Sequence, residues 1–577
     1  MKQATFAYSF QGSSHIKKEE NIENMGKKFP CQDRSFSGDF ESSEITEKKE
    51  VTLFVKDRSN LFSRVQLPVE LNPHKAGFSL ICVSDGHGGA PYFKSQKGAE
   101  FAIQTAIELL SESVDKIAAA LQDKNYSKVN KNLSKSFVRR WIRKIMSDIA
   151  STDKDELLAQ IKDLEQKDEK AAKAYRDEVK TAYSLVEKYE NLIKVPASEN
   201  DENAELSSIL NEFAKLELKS MYGCTAVVYF RIKESPLWYA FKIGDSDFFV
   251  SFDGNFVKPI ADDPQCHENV TTSLCDSNAA KNFRFPDEQY LDRIPENVFL
   301  SSDGVANSFP NEEYLTKFYN SIIFSYDEEG PFHSENDVKE TLPQLSIKGS
   351  GDDITLAGII SFDDSVEGKR TRRVQVKETA KRYIEEGNYK LVYPLFKPYL
   401  DRNESDFKYL MAVYDYNETI RLSNFPFSKD FIVQWNKAFL SLNAVINDIS
   451  LIDKAKGIIQ VVHRLHKMME TAIEIDINNA TDVKTQDYID DLFSPFVTDE
   501  LNLYSYYKVV YEYKWLKKCY EKGSLTVFND MFSKAESDLT LFARASNFNF
   551  VENSRITACK YLSDMFVMKA KYWAMQK

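Results

Sequence analysis

The stretch FSLICVSDGHGG, residues 78–89, decides how this chain folds. Phe78 to Ser84 form a compact apolar run of buried-strand type, and the run stops at Asp85. Gly86-His87-Gly88-Gly89 follows as a turn. Other acids occupy similar places: Asp245 ends LWYAFKIG, Asp303 ends VFLSS, and Asp352 stands just before ITLAGII. Asp33 lies in an early polar turn, within PCQDRSF. Strand ends in a layered sheet can converge on one rim, and acids gathered there without a counter-charge repel one another and resist desolvation. Hard divalent cations take oxygen ligands, so Mg²⁺ or Mn²⁺ is the natural occupant of such a site. A pair of ions can hold both ends of a phosphoryl displacement. The glycines beside the acids, in Asp85-Gly86-His87-Gly88-Gly89 and Asp303-Gly304, are expected to let the backbone approach metal or phosphate closely.

Outward from that stretch, the chain has two characters. Of 577 residues carrying a formal net charge of −13, positions 371–577 hold 29 Lys and Arg against 27 Asp and Glu, a net of +2. The first 370 residues therefore carry −15. Only Gly387, Gly457 and Gly523 of the 20 glycines lie beyond residue 370, so the first part reads as turn-rich and the last as helical. Segments TAVVYF, PLWYAFKIGDS, VFLSSDG and ITLAGIISF in 221–365 read as strands, and 38–70 as an extra hairpin or loop. Between them, residues 112–215 carry apolar positions such as Leu157, Ile161, Tyr175, Val179 and Val186 at helical steps, which predicts one long charged hairpin of helices or two helices packed on the body, a solvated insertion without chemistry. The break beginning at Pro196 is turn-prone. Near the C-terminus, Ile432, Trp435, Phe439, Leu442, Val445, Ile449 and Ile452 form one 3.6-period stripe, expected to be core.

Several classes are excluded. An acidic balance supplies no cationic footprint for nucleic acid. No apolar run approaches the roughly 20 residues of a membrane span. MKQATFAYSFQGSS lacks the build of a secretory signal. Seven scattered cysteines read as reduced thiols, and the expected compartment is the cytoplasm. Cys266, His267 and Cys275 lack a fourth ligand at regular spacing and read as surface loop, and His463 and His466 lack acidic helpers.

Taken in order, DGHGG, YGCTAVV, GDS, SDGV and GDDIT resemble the metal-dependent type 2C Ser/Thr protein phosphatases, and GSSH…PCQD resembles their bacterial branch. The resemblance spans residues 1–365 as a catalytic domain, with the insertion at about 112–215, and leaves 370–577 as an α-helical accessory domain. It implies an α+β fold, a four-layer αββα sandwich with two mostly antiparallel sheets and metals at one rim between them. It also implies two or more Mg²⁺ or Mn²⁺ ions held by Asp85, the Gly86 carbonyl, Asp303 and Asp352. Asp33 would contact metal-bound water, Asp245 would serve a looser additional site, and His87 would be the general acid. The implied activity is hydrolysis of phosphoserine and phosphothreonine in a phosphoprotein by direct attack of a metal-bound hydroxide.

Three departures stand out. Lys28 occupies the place of the family's phosphate-clamping arginine, with His15 a candidate helper. GDSR reads Gly244-Asp245-Ser246-Asp247, and Asp353 replaces the usual Asn, a change expected to be mild. A diester carries one negative charge instead of two, so Lys28 also fits removal of AMP or phosphocholine from a protein side chain. A phosphatase-like scaffold binding phosphoprotein without turnover is the remaining alternative. The C-terminal helices, rich in Tyr504, Tyr506, Tyr507, Tyr511 and Tyr513, are expected to recruit a partner or substrate, or to cover the site.

Overall fold

The computed structural model describes residues 2–15, 30–56, 63–193, 204–266, 270–480, 484–494, 503–544 and 554–576. The chain forms two compact units, Met1–Arg370 and Thr371–Lys577. Among the described residues the first unit holds eleven strands: β1 (Lys2–Phe10), β2 (Arg34–Phe40), β3 (Glu47–Lys56), β4 (Ser63–Leu71), β5 (Phe78–Ser84), β6 (Ala226–Ile232), β7 (Trp238–Ile243), β8 (Asp247–Phe252), β9 (Asn255–Val257), β10 (Asn297–Ser301) and β11 (Ile354–Phe362). They make a seven-stranded sheet in the order β4-β3-β1-β11-β10-β8-β9 and a four-stranded sheet in the order β2-β5-β6-β7.

The sheets pack face to face, β1 and β11 lying over β2 and β11 also over β5. The alternation in β1 shows why. Phe6, Tyr8 and Phe10 point outward into a cluster with Tyr319, Tyr326 and Leu342 of the helices Glu312–Glu329 and Pro331–Lys348. The small residues Ala7 and Ser9 point the other way, and Ser9 Oγ meets Ser35 Oγ of β2 at 3.0 Å. On the far side of the smaller sheet lie the helices Ser95–Gln122 and Tyr126–Ser151, with Phe137 of the latter edge-on to Phe241 of β7. Helix, sheet, sheet, helix is the layering that the resemblance implies. Apart from Ser79 and Ser84, β5 is apolar because both of its faces are covered. The 38–70 segment supplies the β3–β4 hairpin, which extends the larger sheet by a parallel pairing of β3 with β1.

The helical region packs on the body of the fold, one of the two arrangements its period allows, but it has other bounds and more helices. No break falls at residue 112; the helix Ser95–Gln122 runs through it on a continuous apolar stripe, Ala99 to Leu121, and ends before Lys124, whose φ is 52°. The helices Tyr126–Ser151, Lys154–Glu165, Glu169–Ile193 and Ala204–Phe213 follow. Trp141, Ile145, Leu157, Tyr175 and Phe213 among them are buried in the same core as β5 and β6. The break at Pro196 lies largely outside the described residues.

The second unit is helical throughout its described residues, centred on Trp435, Leu465, Tyr507, Tyr511, Phe528 and Leu539. Ile432, Trp435, Leu442 and Val445 are buried on the helix Lys429–Ile446, but the stripe does not continue on one helix: the chain turns at Asn447 and restarts at Ile452. All five tyrosines of the 504–513 stretch are at most 9% exposed, so they build core and not a recruiting surface. Among the described residues no helix is long and apolar enough to cross a membrane. All seven cysteines are free thiols.

Candidate active site

Antiparallel register brings the acids together. Arg34 pairs with Ser84, so β2 begins where β5 ends, and Asp33 stands beside Asp85. Ser301 pairs with both Leu356 and Asp247, so the end of β10, with Asp303 just beyond, meets the starts of β11 and β8. Asp352 precedes β11, and Asp245 sits in the turn between β7 and β8. Five carboxylates from both sheets thus share one rim.

They feel one another. Burial, then the charges of Asp33, Asp303, Asp245 and Asp352, pushes the Asp85 carboxyl well above its usual range. Asp33, 1% exposed, is raised by burial and by Asp353 and Asp352. Asp303 is pushed up to about 6 by burial, with Asp245 and Asp352 adding repulsion. Burial also raises Asp245, against its own backbone N–H and Thr271, which pull the other way. Among the described residues no Lys or Arg forms an ion pair with Asp33, Asp85 or Asp303. Asp33 Oδ2 is buried without a hydrogen-bond partner.

A hard cation fits that donor set: oxygen ligands only, repulsion to neutralise, and one buried oxygen still unsatisfied. As placed, no group of three or more His, Cys, Asp or Glu side chains among the described residues is drawn together tightly enough to hold an ion by itself.

Other residues set the positions. Asp85 N donates to Thr225 Oγ1 at 3.1 Å, and Thr225 N donates to the Asp85 carbonyl at 2.8 Å. Asn307 Nδ2 donates to Asp303 Oδ2 at 3.2 Å. Asp353 accepts the N–H of Gly12 on one oxygen and that of Gln32 on the other, both at 2.6 Å. That makes the exchange for Asn more than mild, because Asn has a single acceptor oxygen and would turn an NH₂ toward one of these donors. Asp247 does not bring an uncompensated charge to the rim, since Lys258 pairs with it at 3.1 Å. Of these, only the four-residue spacing of Asp303 and Asn307 gave a signal in the sequence.

Two of the glycines allow close approach of backbone to backbone. A Cβ on Gly86 would come within 2.6 Å of the Gln32 carbonyl oxygen, and one on Gly304 within 2.1 Å of the Asp353 carbonyl oxygen. Their bareness lets backbone meet backbone, whereas Gly88 faces open space.

His87 follows Asp85 by two residues. Its N–H donates to Gly223 O at 3.1 Å, and its carbonyl accepts from Gln32 Nε2 at 3.1 Å. Burial lowers its imidazole to about 4, so the ring is neutral near pH 7. Lys28 and His267 lie outside the described residues, and so does the side chain of His15, whose backbone closes the short helix Ser13–His15. Cys266 Sγ accepts from Thr272 N at 3.4 Å within its own loop.

Residues 72–343 match the family described as protein phosphatase 2C. The matched segment contains the motifs DGHGG, YGCTAVV, GDS and SDGV. Among solved structures, a serine/threonine phosphatase of S. agalactiae is 13% identical over 62% of this chain and 100% of its own, with a TM-score of 0.26. PstP/Ppp of Mycobacterium tuberculosis is 11% identical over 62% and 99%, at 0.24. Stp1 of Staphylococcus aureus is 12% identical over 60% and 98%, also at 0.24. No curated protein matches the chain.

Proposed function

We propose that this protein is a Mg²⁺- or Mn²⁺-dependent phosphatase that hydrolyses phosphoserine and phosphothreonine in proteins. The observation that carries the reading is the rim of five carboxylates, of which Asp33, Asp85 and Asp303 have no cationic partner among the described residues; Asp85, Asp245 and Asp303 lie within residues 72–343, which match the protein phosphatase 2C family. Asp85, Asp303 and Asp352, with the Gly86 carbonyl, are the residues to hold two ions; Asp33 would contact metal-bound water and Asp245 would serve a looser additional site. When bound, the ions supply Lewis-acid activation of water and neutralise the phosphoryl oxygens.

The chain's own groups do the rest. Thr225 and Asn307 fix the acids, and Asp353 holds the Gln32 segment in register with them. His87, held neutral by burial, serves the departing Ser or Thr oxygen as a hydrogen-bond donor through its ring N–H. Lys28 and His15 are assigned to the substrate phosphate on their motif positions.

The test is hydrolysis of an aryl phosphate and of a phosphoserine peptide with Mn²⁺, beside Asp85→Ala. Turnover by the native chain and loss of at least a hundredfold in the variant are expected. Equal background rates in both would leave a binding scaffold. A bis-aryl phosphate run in parallel separates the diester alternative, which requires faster cleavage of the diester than of the monoester.

A further inference from the structure

We infer that Tyr92 is a positioning residue for His87 and that the helical insertion acts on the site through it. The inference rests on the phosphatase reading. Tyr92 ends the turn Ala90–Tyr92, directly after the glycines of the Asp85 loop. Its ring meets that of His87 edge to face, with centroids 5.0 Å apart and planes at 77°. Gly223 closes the other side: a Cβ there would stand 2.7 Å from His87 Cδ2 and 2.8 Å from Tyr92 Cδ1. Both rings therefore lie against bare backbone, and any side chain at 223 would push them away.

The main chain of His87 is fixed by Gly223 and Gln32. Those bonds leave rotation of the imidazole about its side-chain bonds open, and the Tyr92 ring is what limits it. Tyr92 is held in turn. Its N–H donates to Gly89 O at 3.2 Å, and Tyr175 on the insertion helix Glu169–Ile193 directs its hydroxyl to Pro91 O at 3.4 Å. Farther along, Trp141 of the helix Tyr126–Ser151 donates to Gly98 O at 3.0 Å. The insertion thus buttresses the segment that follows Asp85. Among the described residues the Tyr92 hydroxyl makes no hydrogen bond. The ring is the working part, and phenylalanine should replace it.

Steady-state kinetics of the full chain on a phosphoserine peptide with Mn²⁺ test this. Tyr92→Phe is expected to keep kcat within about twofold. Tyr92→Ala is expected to lower kcat about tenfold with KM little changed, since orientation and not binding is lost. In a His87→Gln background, Tyr92→Ala should cost nothing further. A tenfold loss that multiplies the His87→Gln loss would overturn the inference, as would failure of Tyr92→Phe to rescue.

A second readout needs no activity. With ¹³C-labelled histidine, the His87 Cε1–Hε1 resonance, assigned by its disappearance in His87→Gln, lies in the ring current of Tyr92. It should move in Tyr92→Ala and hold in Tyr92→Phe; an unmoved resonance in Tyr92→Ala would refute the contact. If the native chain has no turnover, the phosphatase reading falls, and this resonance alone decides whether Tyr92 sets His87.

Discussion

The carboxylate of Asp353 accepts the backbone N–H of Gln32 at 2.6 Å, tying the start of β11 to the turn that carries Asp33. Its other oxygen takes the N–H of Gly12 at the end of β1, also at 2.6 Å. Three segments distant in sequence meet on one buried side chain. Asp353→Asn keeps the volume and removes one acceptor, leaving a buried N–H opposed by an NH₂ group. The expected cost is about 2 kcal/mol. Hydrogen exchange of peptides spanning Gly12 and Gln32 should accelerate about thirtyfold, the same free energy read as local opening. Unchanged protection at both amides would show that the carboxylate does not hold them.

Much of this site was legible because strand ends announce themselves. FSLICVS stops at Asp85, and ITLAGII starts after Asp352, so acids at strand termini could be read off one line of sequence. The seat of the insertion was not legible, because charged residues between helical apolar positions look alike whether the apolar stripe meets another helix or the body of the fold. Tyr175 and Trp141 show which it is only through their partners. Asp353 was underestimated for a related reason. Its two acceptors are used by backbone groups, and backbone donors leave no mark in a sequence.

Cation binding should stabilise the native chain. The acids at the rim repel, and an ion that binds only the folded form adds stability by mass action, about 2.7 kcal/mol at a hundredfold excess over its Kd. Thermal unfolding followed by near-ultraviolet circular dichroism should therefore shift upward with Mn²⁺. Asp85→Ala should unfold at a higher temperature than the native chain in chelator, because one repulsive charge is gone, and should lose most of the Mn²⁺ response. An equal Mn²⁺ shift in both proteins would place the ions elsewhere.

Gly86 offers a steric test of the same rim. Its missing Cβ lies 2.6 Å from the Gln32 carbonyl oxygen, a backbone atom that cannot swing aside. Gly86→Ala must displace the Asp85 loop from the Asp33 turn. A misplacement near 1 Å costs on the order of a hundredfold in turnover. The far-ultraviolet spectrum should be unchanged, because both sheets remain. Gly88→Ala, where nothing stands within 4 Å of the new methyl, is the control and should retain activity within about twofold. Similar activity in the two variants would refute the close approach.

Glu512 makes the helical unit sensitive to pH. It is fully buried on the helix Leu503–Glu521, where Oε1 accepts from Gln486 Nε2 at 2.7 Å and Oε2 is buried without a hydrogen-bond partner. Lys508 stands 3.4 Å away but is shared with Asp490 and Asp538. Burial dominates and pushes the Glu512 carboxyl up to about 7, with the nearby Lys508 charge only partly offsetting it. An acid raised in the folded state ionises first in the unfolded chain. The folded form is thus favoured at low pH and loses stability as pH rises from the ordinary glutamate range through 7. The loss is about 2 kcal/mol between pH 5 and pH 8 after allowance for relaxation around the charge. Urea unfolding of the full chain, followed by tryptophan fluorescence and by exchange of peptides from 503–521, should show this decline in the native protein. Glu512→Gln should flatten it and be the more stable of the two at pH 8. A Glu512→Gln protein that declines with pH as steeply as the native chain would assign the pH dependence to other groups.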